Sequence, residues 1–187
     1  MASLSITDLR PGLGVNIKGK DCVILEAQHV KPGKGNTYVR PKYRDIRTGR
    51  VNEENFQQSA KFESVNMQTR EMQYLYNDGD LYYFMDNETY EQIEVATDLI
   101  GDNAKWFKEN DTCLLQYANG VLYNVQPPMF IEAEIIETEP GFKGDTVQGG
   151  GKPATIETGA VIQVPMYLNV GERVKIDTRD GKFVGRV

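Results

Sequence analysis

Histidine occurs once in this chain of 187 residues, at position 29, tryptophan once, at 106, and cysteine twice, at 22 and 113. Two distant cysteines and one histidine cannot assemble a four-ligand zinc site, and they provide no disulfide framework. Both thiols are expected reduced and partly buried. No apolar run approaches the roughly 20 residues needed to cross a bilayer, and no early segment joins a basic head, an apolar stretch and a small-residue cleavage site. The expected compartment is therefore the cytoplasm, with no membrane partner. Asn87-Glu88-Thr89 and Asn110-Asp111-Thr112 fit the glycosylation acceptor pattern, which carries no weight without a secretory signal. Helical periodicity is scarce as well.

What is present is an ordinary globular composition, 40% hydrophobic and 26% charged, and a net charge of −6 that is unevenly placed. Residues 1–65 hold 11 Lys and Arg against 7 Asp and Glu (+4), residues 66–128 hold 3 against 11 (−8), and residues 129–187 hold 7 against 9 (−2). A basic first third is drawn to phosphates by counterion release, while an acidic middle is repelled from a nucleic-acid backbone. One end is biased toward RNA.

The apolar pattern is that of short strands: Val23-Ile24-Leu25, Tyr38-Val39, residues 72–76, 81–85, 93–95 and 121–125. Asn77-Asp78-Gly79, Asn119-Gly120 and Asp180-Gly181 read as hairpin turns, where glycine accepts a positive φ. One short helix is expected near residues 98–109, with Trp106 and Phe107 packed beneath a barrel. Gln126-Pro127-Pro128 interrupts strand pairing, because proline cannot donate to a ladder. A second break, near residues 65–67, follows the charge shift. The chain is thus expected to be all-β, with three small β-barrel domains in series over residues 1–65, 66–128 and 129–187. An SH3-like (KOW-like) barrel would come first, followed by two OB-fold barrels. No close sequence repeat joins them.

Between two strands stands Lys31-Pro32-Gly33-Lys34-Gly35. Pro32 fixes φ, Gly33 permits a bend and Gly35 lets the chain return, so Lys34 is placed at a hairpin tip. Residues 30–50 carry Lys31, Lys34, Arg40, Lys42, Arg44, Arg47 and Arg50 against one acid, Asp45. Pro41 falls in a strand where a donor is expected, so that strand is an edge or carries a bulge. Other signals are weaker. Gly149-Gly150-Gly151-Lys152 lacks the upstream glycine and the following Ser or Thr of a phosphate loop, and reads as a surface loop. Glu132 and Glu134 alternate with Ile131, Ala133 and Ile135 as the solvent face of a strand. His29 has no paired nucleophile and supports the loop base, and Tyr74, Tyr76, Tyr82, Tyr83 and Phe84 read as core and rim. No catalytic constellation and no metal site is assembled.

Taken together, the 31–35 loop, Tyr74-Leu75-Tyr76-Asn77-Asp78-Gly79, Gly101-Asp102-Asn103-Ala104-Lys105-Trp106, and Lys152, Ala154, Gly159, Ile162, Val164-Pro165, Leu168 and Gly171 resemble the elongation factor P family across the whole chain. The resemblance implies a monomeric, non-enzymatic factor that binds the 70S ribosome between the peptidyl and exit tRNA sites and relieves stalling at consecutive prolines. It further implies that Lys34 is extended by a lysine-modifying enzyme, with a β-lysyl adduct favoured and no separate cofactor. Lys31, Pro32, Gly33, Lys34, Gly35, Arg40 and Lys42 would then face the CCA end of peptidyl-tRNA. Gly144, Asp145 and Thr146 would read messenger RNA in the exit site. The alternative is a general single-stranded RNA-binding or RNA-chaperone protein that uses its barrel faces and leaves Lys34 incidental.

Overall fold

The computed structural model describes residues 2–141 and 150–187. Its strands form three sheets, one for each small barrel expected from the sequence. The first contains β1 (Ser3–Ser5), β2 (Gly14–Ile17), β3 (Lys20–Val30), β4 (Tyr38–Asp45), β5 (Val51–Glu53), β6 (Phe56–Gln57) and β7 (Lys61–Ser64), in the order β1-β7-β2-β3-β4-β5 with β6 also on β4. Its core gathers Ile6, Leu9, Val15, Ile17, Ile24, Val39, Tyr43 and Phe62. Those on strands come from alternate positions, which is how a two-faced sheet buries one side, while Ile6 and Leu9 come from the short turn that follows β1.

The second sheet is formed by β8 (Met67–Asn77), β9 (Leu81–Asp86), β10 (Gln92–Ala96), β11 (Thr112–Ala118) and β12 (Val121–Gln126), in the order β10-β9-β8-β11-β12. The third is formed by β13 (Phe130–Thr138), β14 (Lys152–Ile156), β15 (Val161–Val164), β16 (Arg173–Asp177) and β17 (Lys182–Arg186), in the order β15-β14-β13-β16-β17. By backbone proximity the chain divides into two compact units, residues 1–69 with 115–124, and residues 70–114 with 125–187.

The expected helix near residues 98–109 is shorter than its sequence window: one α-turn, α1 (Thr97–Ile100), then a 3-10 stretch over Gly101–Trp106. Its last residue and the next go to different cores. Phe107 lies 4.9 Å from Tyr74 and 6.1 Å from both Tyr82 and Phe84, ring to ring, inside the second barrel. Trp106 packs instead against the core of the third barrel. Thr158 Oγ1 donates to the Lys105 carbonyl at 2.6 Å, and Lys108 pairs with Glu157 at 2.8 Å. Residues 105–108 therefore join these two barrels by apolar and polar contacts at once.

Each barrel also contains the same five-residue turn, a repeat hidden by divergent sequence. Asp45 Oδ1 accepts the amides of Arg47 and Thr48, and Asp86 Oδ1 accepts those of Glu88 and Thr89. Thr48 and Thr89 then accept the amides of Arg50 and Glu91. In the third barrel Asp177 Oδ1 accepts the Arg179 amide, and Asp180 accepts that of Lys182. The residue four beyond the leading aspartate takes a positive φ in all three: Gly49 at 70°, Tyr90 at 61° and Gly181 at 68°. An L side chain in that region is disfavoured, and Tyr90, 71% exposed, adopts it with little packing to stabilise it.

Two tests follow from these turns. Gly49→Ala should destabilise the protein by about 1 kcal/mol, while Tyr90→Gly should leave stability unchanged or raise it by up to about 1 kcal/mol, both read by chemical denaturation. A marked loss on Tyr90→Gly would contradict the shared-turn account. The second test is pH. Burial pushes the Asp45 carboxyl up, but the amides of Thr48 and Arg47 outweigh it and hold the group below its ordinary value. The Thr89 and Glu88 amides lower Asp86, and the Arg179 side chain holds Asp177 down to about 2. A carboxyl depressed on folding contributes stability that is present above its unfolded pKa and is lost as pH falls through its folded pKa. Melting temperature should therefore fall as pH drops from about 4 toward 2, and Asp177→Asn should flatten that part of the curve.

Candidate functional site

The residues singled out in the first third come together on one two-stranded ribbon. β3 and β4 pair from Cys22↔Asp45 to Val30↔Tyr38, with a register shift between Ile24 and Glu26. Toward the loop Glu26, Gln28 and His29 of β3 become exposed, whereas Cys22, Val23 and Ile24 are buried, but on β4 Val39, opposite His29, is still in the core, so the loop begins where the core ends. β6 supports the far end by pairing with Tyr38 and Val39. His29 Nε2 lies 3.2 Å from the Leu9 carbonyl, so the sole histidine ties the loop base to the chain before β2.

Pro41 lies in the interior of the sheet, where β4 is flanked by β3 on one side and by β5 and β6 on the other. The expected edge is absent, and so is a bulge in this strand; the register shift lies in its partner, at Leu25 of β3. β5 pairs with residues 42–44 and β6 with residues 38–39, so Pro41 sits opposite the gap between two short partners. A missing donor is tolerated there because no ladder position faces it on that side.

Lys31, Pro32, Gly33, Lys34 and Gly35 are all exposed, and the loop bends over residues 33–35. The positive φ falls on Gly35, at 120°. Among the described residues, neither Lys31 nor Lys34 has a hydrogen-bond or ion-pair partner. Their amines are free to meet an external acceptor.

Along β4, Val39, Pro41, Tyr43 and Asp45 are buried while Arg40, Lys42 and Arg44 take the other face. The one acid counted in this window, Asp45, is therefore turned away from the basic side chains. Counterions come from further off in sequence. Lys42 lies 3.6 Å from Glu26, and Arg40 lies 3.8 Å from Glu53 and donates from Nε to Asn55 at 2.9 Å. These acids were missed by counting a sequence window, and the signal that finds them is register, since Lys42 pairs with both Glu26 and Glu53. Such exposed pairs are worth about 0–1 kcal/mol, so a phosphate could displace either carboxylate at small cost. Below the patch, the Lys18 ammonium and the Tyr43 hydroxyl both bond Glu54 and hold its carboxyl low, while burial and Glu54 push the Tyr43 phenol up.

Gly144, Asp145 and Thr146 lie outside the described residues. The chain on either side is firmly held. Lys152 is 3% exposed and donates to the Glu139 carbonyl at 2.6 Å. Gly141 and Gly151 press on the Met166 and Val164 carbonyls so closely that an added Cβ would lie 2.2 Å and 2.9 Å from those oxygens. Lys152 is thus a buried strand residue rather than part of a surface loop, while Gly150 and Gly151 are exposed and precede the strand, and Gly149 lies outside the described residues. Ala154, Ile162, Val164 and Leu168 are also core residues, so this motif specifies a fold and contains no exposed functional group of its own. Cys22 and Cys113 are free and fully buried, with burial raising their thiols to about 11 and about 12.

Three family models cover the chain in succession: the elongation factor P KOW-like domain over residues 5–62, the elongation factor P OB domain over residues 67–125, and the elongation factor P C-terminal domain over residues 131–186. An elongation factor P from Thermoanaerobacter sp. (strain X514) is 51% identical over 180 residues, spanning 96% of this chain and 97% of that protein. One from Clostridioides difficile (strain 630) is 47% identical over 184 residues, spanning 98% and 100%. Among solved structures, the eukaryotic translation initiation factor 5A from Methanococcus jannaschii superposes with a TM-score of 0.55 at 25% identity, over 67% of this chain and 92% of that one. With its KOW-like barrel, its OB-fold barrels and relatives of near-equal length, the chain belongs to the elongation factor P family of translation elongation factors.

Proposed function

We propose that the protein binds the 70S ribosome between the peptidyl and exit tRNA sites and stimulates peptide-bond formation where consecutive prolines stall it. In this reading Lys34, covalently extended by a lysine-modifying enzyme and favouring a β-lysyl adduct, meets the CCA end of peptidyl-tRNA. The observation that carries it is the unpartnered, exposed Lys34 amine in the loop that begins where the β3–β4 ladder ends. Lys31 stands beside it, and Arg40 and Lys42 supply positive charge on the ribbon behind.

The physical logic is positional. Proline is a rigid participant in peptide transfer, and holding the peptidyl-tRNA end in an attack-ready geometry removes orientational entropy from the barrier. The ribosome supplies the chemistry, and the factor acts in the cytoplasm as a monomer without catalysing a step. A longer cationic arm reaches further and donates charge-assisted hydrogen bonds to phosphate or ribose oxygens. Gly144, Asp145 and Thr146 are assigned to messenger RNA in the exit site, where a small residue allows close approach and two polar side chains reach base edges.

The test is a reconstituted translation assay on a template encoding a proline run. Lys34→Ala should lower the stimulated rate by about 10- to 100-fold, the scale on which misplacing a reacting group acts, while leaving the melting temperature of the factor unchanged. Full stimulation by Lys34→Ala would refute the proposal and favour binding through the barrel faces. Intact-mass analysis of protein from the native source should show an adduct that maps to the Lys34 peptide.

A further inference from the structure

Asn119 occupies the tip of the β11–β12 hairpin, at φ 48°, followed by Gly120 at 80°. Two successive left-handed residues make the primed turn that suits a twisted hairpin, and glycine would satisfy that turn at either position. The asparagine side chain is used for something else. Its Oδ1 accepts the Asn66 amide at 3.0 Å, its Nδ2 donates to Asp21 Oδ2 at 3.2 Å, and its backbone amide donates to the Asn66 carbonyl at 2.8 Å. Asp21 Oδ1 is itself held by Asn16 Nδ2 at 3.0 Å. The partners are 53 and 98 residues away in sequence, so one side chain ties the hairpin tip to Asp21 of the first barrel and to Asn66, which follows that barrel's last strand. Residues 115–124 accordingly belong to the same compact unit as residues 1–69.

Beside these bonds the junction is hollow. A cavity of about 430 Å³ is lined by Asn16, Lys20, Asp21 and Asp45 from the barrel and by Ala118 and Val121 from the hairpin. Val121 is 57% exposed although Ala118 is buried, so apolar packing covers this side only in part and the hydrogen bonds complete the junction. Asp21 is also the second residue of β3, and the other end of β3 leads into the Lys34 loop. From Asp21 to Val30 the strand rises about 3.3 Å per residue and makes a lever of roughly 30 Å, so a tilt of about 10° at Asp21 displaces the loop by roughly 5 Å. A shift of about 1 Å is enough to impair a positioned reaction.

We propose that Asn119 is a positioning residue, a latch that fixes the first barrel on the β11–β12 hairpin and thereby fixes where the Lys34 ribbon points. The proposal rests on the reading of Lys34 given above. It acts through Lys34 and touches no substrate itself, so loosening it should reduce the rate at saturation more than the affinity for the ribosome.

Titrating factor into the proline-run assay tests it. Asn119→Gly keeps the turn and should lower the maximal rate by about 10-fold, while the half-saturating concentration shifts by less than about 2-fold. Asn119→Asp keeps the acceptor for the Asn66 amide but sets a carboxylate against Asp21, and should lose activity similarly. Adding Asp21→Asn restores a donor opposite the new carboxylate and should recover the maximal rate, which a merely destabilised fold would not do. Lys34→Ala is run alongside. If it abolishes stimulation while Asn119→Gly retains the full maximal rate, the latch is refuted and the Lys34 reading stands. If Lys34→Ala has no effect, the Lys34 reading fails, and 15N relaxation decides the latch alone. Amides of residues 117–121 should share the tumbling of the first barrel in the wild type and depart from it in Asn119→Gly. Shared tumbling in both proteins would overturn the proposal.

Discussion

The antiparallel ladder between β3 and β4 is the constraint on which the rest of the site depends. It runs from Cys22↔Asp45, deep in the first barrel, to Val30↔Tyr38, at the base of the Lys34 loop. Buried apolar side chains anchor it along its length, from Cys22 and Ile24 at one end to Val39 near the other, and the exposed loop starts where it stops. A lone hairpin of this length would be marginal in water, and β6 and the His29 bond to Leu9 supply the lateral support that a third strand usually gives. The result is an amine held away from its own protein on a stiff support. That arrangement suits a protein that lends geometry to another machine, in keeping with a family of translation factors.

The remaining structure reads as support for that arm. The first barrel takes the hairpin tip of the second through Asn119, and residues 105–108 join the second barrel to the third by giving Phe107 to one core and Trp106 to the other. Within the third barrel, Lys152 and two closely packed glycines hold the chain on both sides of residues 142–149. The recurring aspartate turn closes a hairpin in each barrel with the same side-chain-to-amide bonds.

Much of this was legible in the sequence because it depends on local rules. Pro32 and the glycines beside Lys34 mark a loop, Asn119-Gly120 marks a hairpin, and Ile131, Ala133 and Ile135 alternate with glutamates as a half-buried strand must. What was not legible depends on pairing at a distance. The counterions of Arg40 and Lys42 enter through register, beyond a bulge at Leu25 that no local pattern announces. Asn119 looks like an ordinary turn residue until its partners at Asn66 and Asp21 are seen. The repeat of the aspartate turn escapes notice because tyrosine stands at position 90 where the other two copies have glycine. Trp106 and Phe107 are adjacent aromatics, and only the fold shows that they serve separate cores.

The central claim is that the Lys34 amine is delivered to the acceptor end of a transfer RNA. The most direct measurement is a cryo-electron microscopy structure of the factor on a ribosome halted at a proline run. The account predicts density for the Lys34 side chain, with any attached group, within hydrogen-bonding distance of the CCA end of peptidyl-tRNA. Lys34 turned back onto its own barrel, or a bound factor whose 31–35 loop lies far from that terminus, would contradict it.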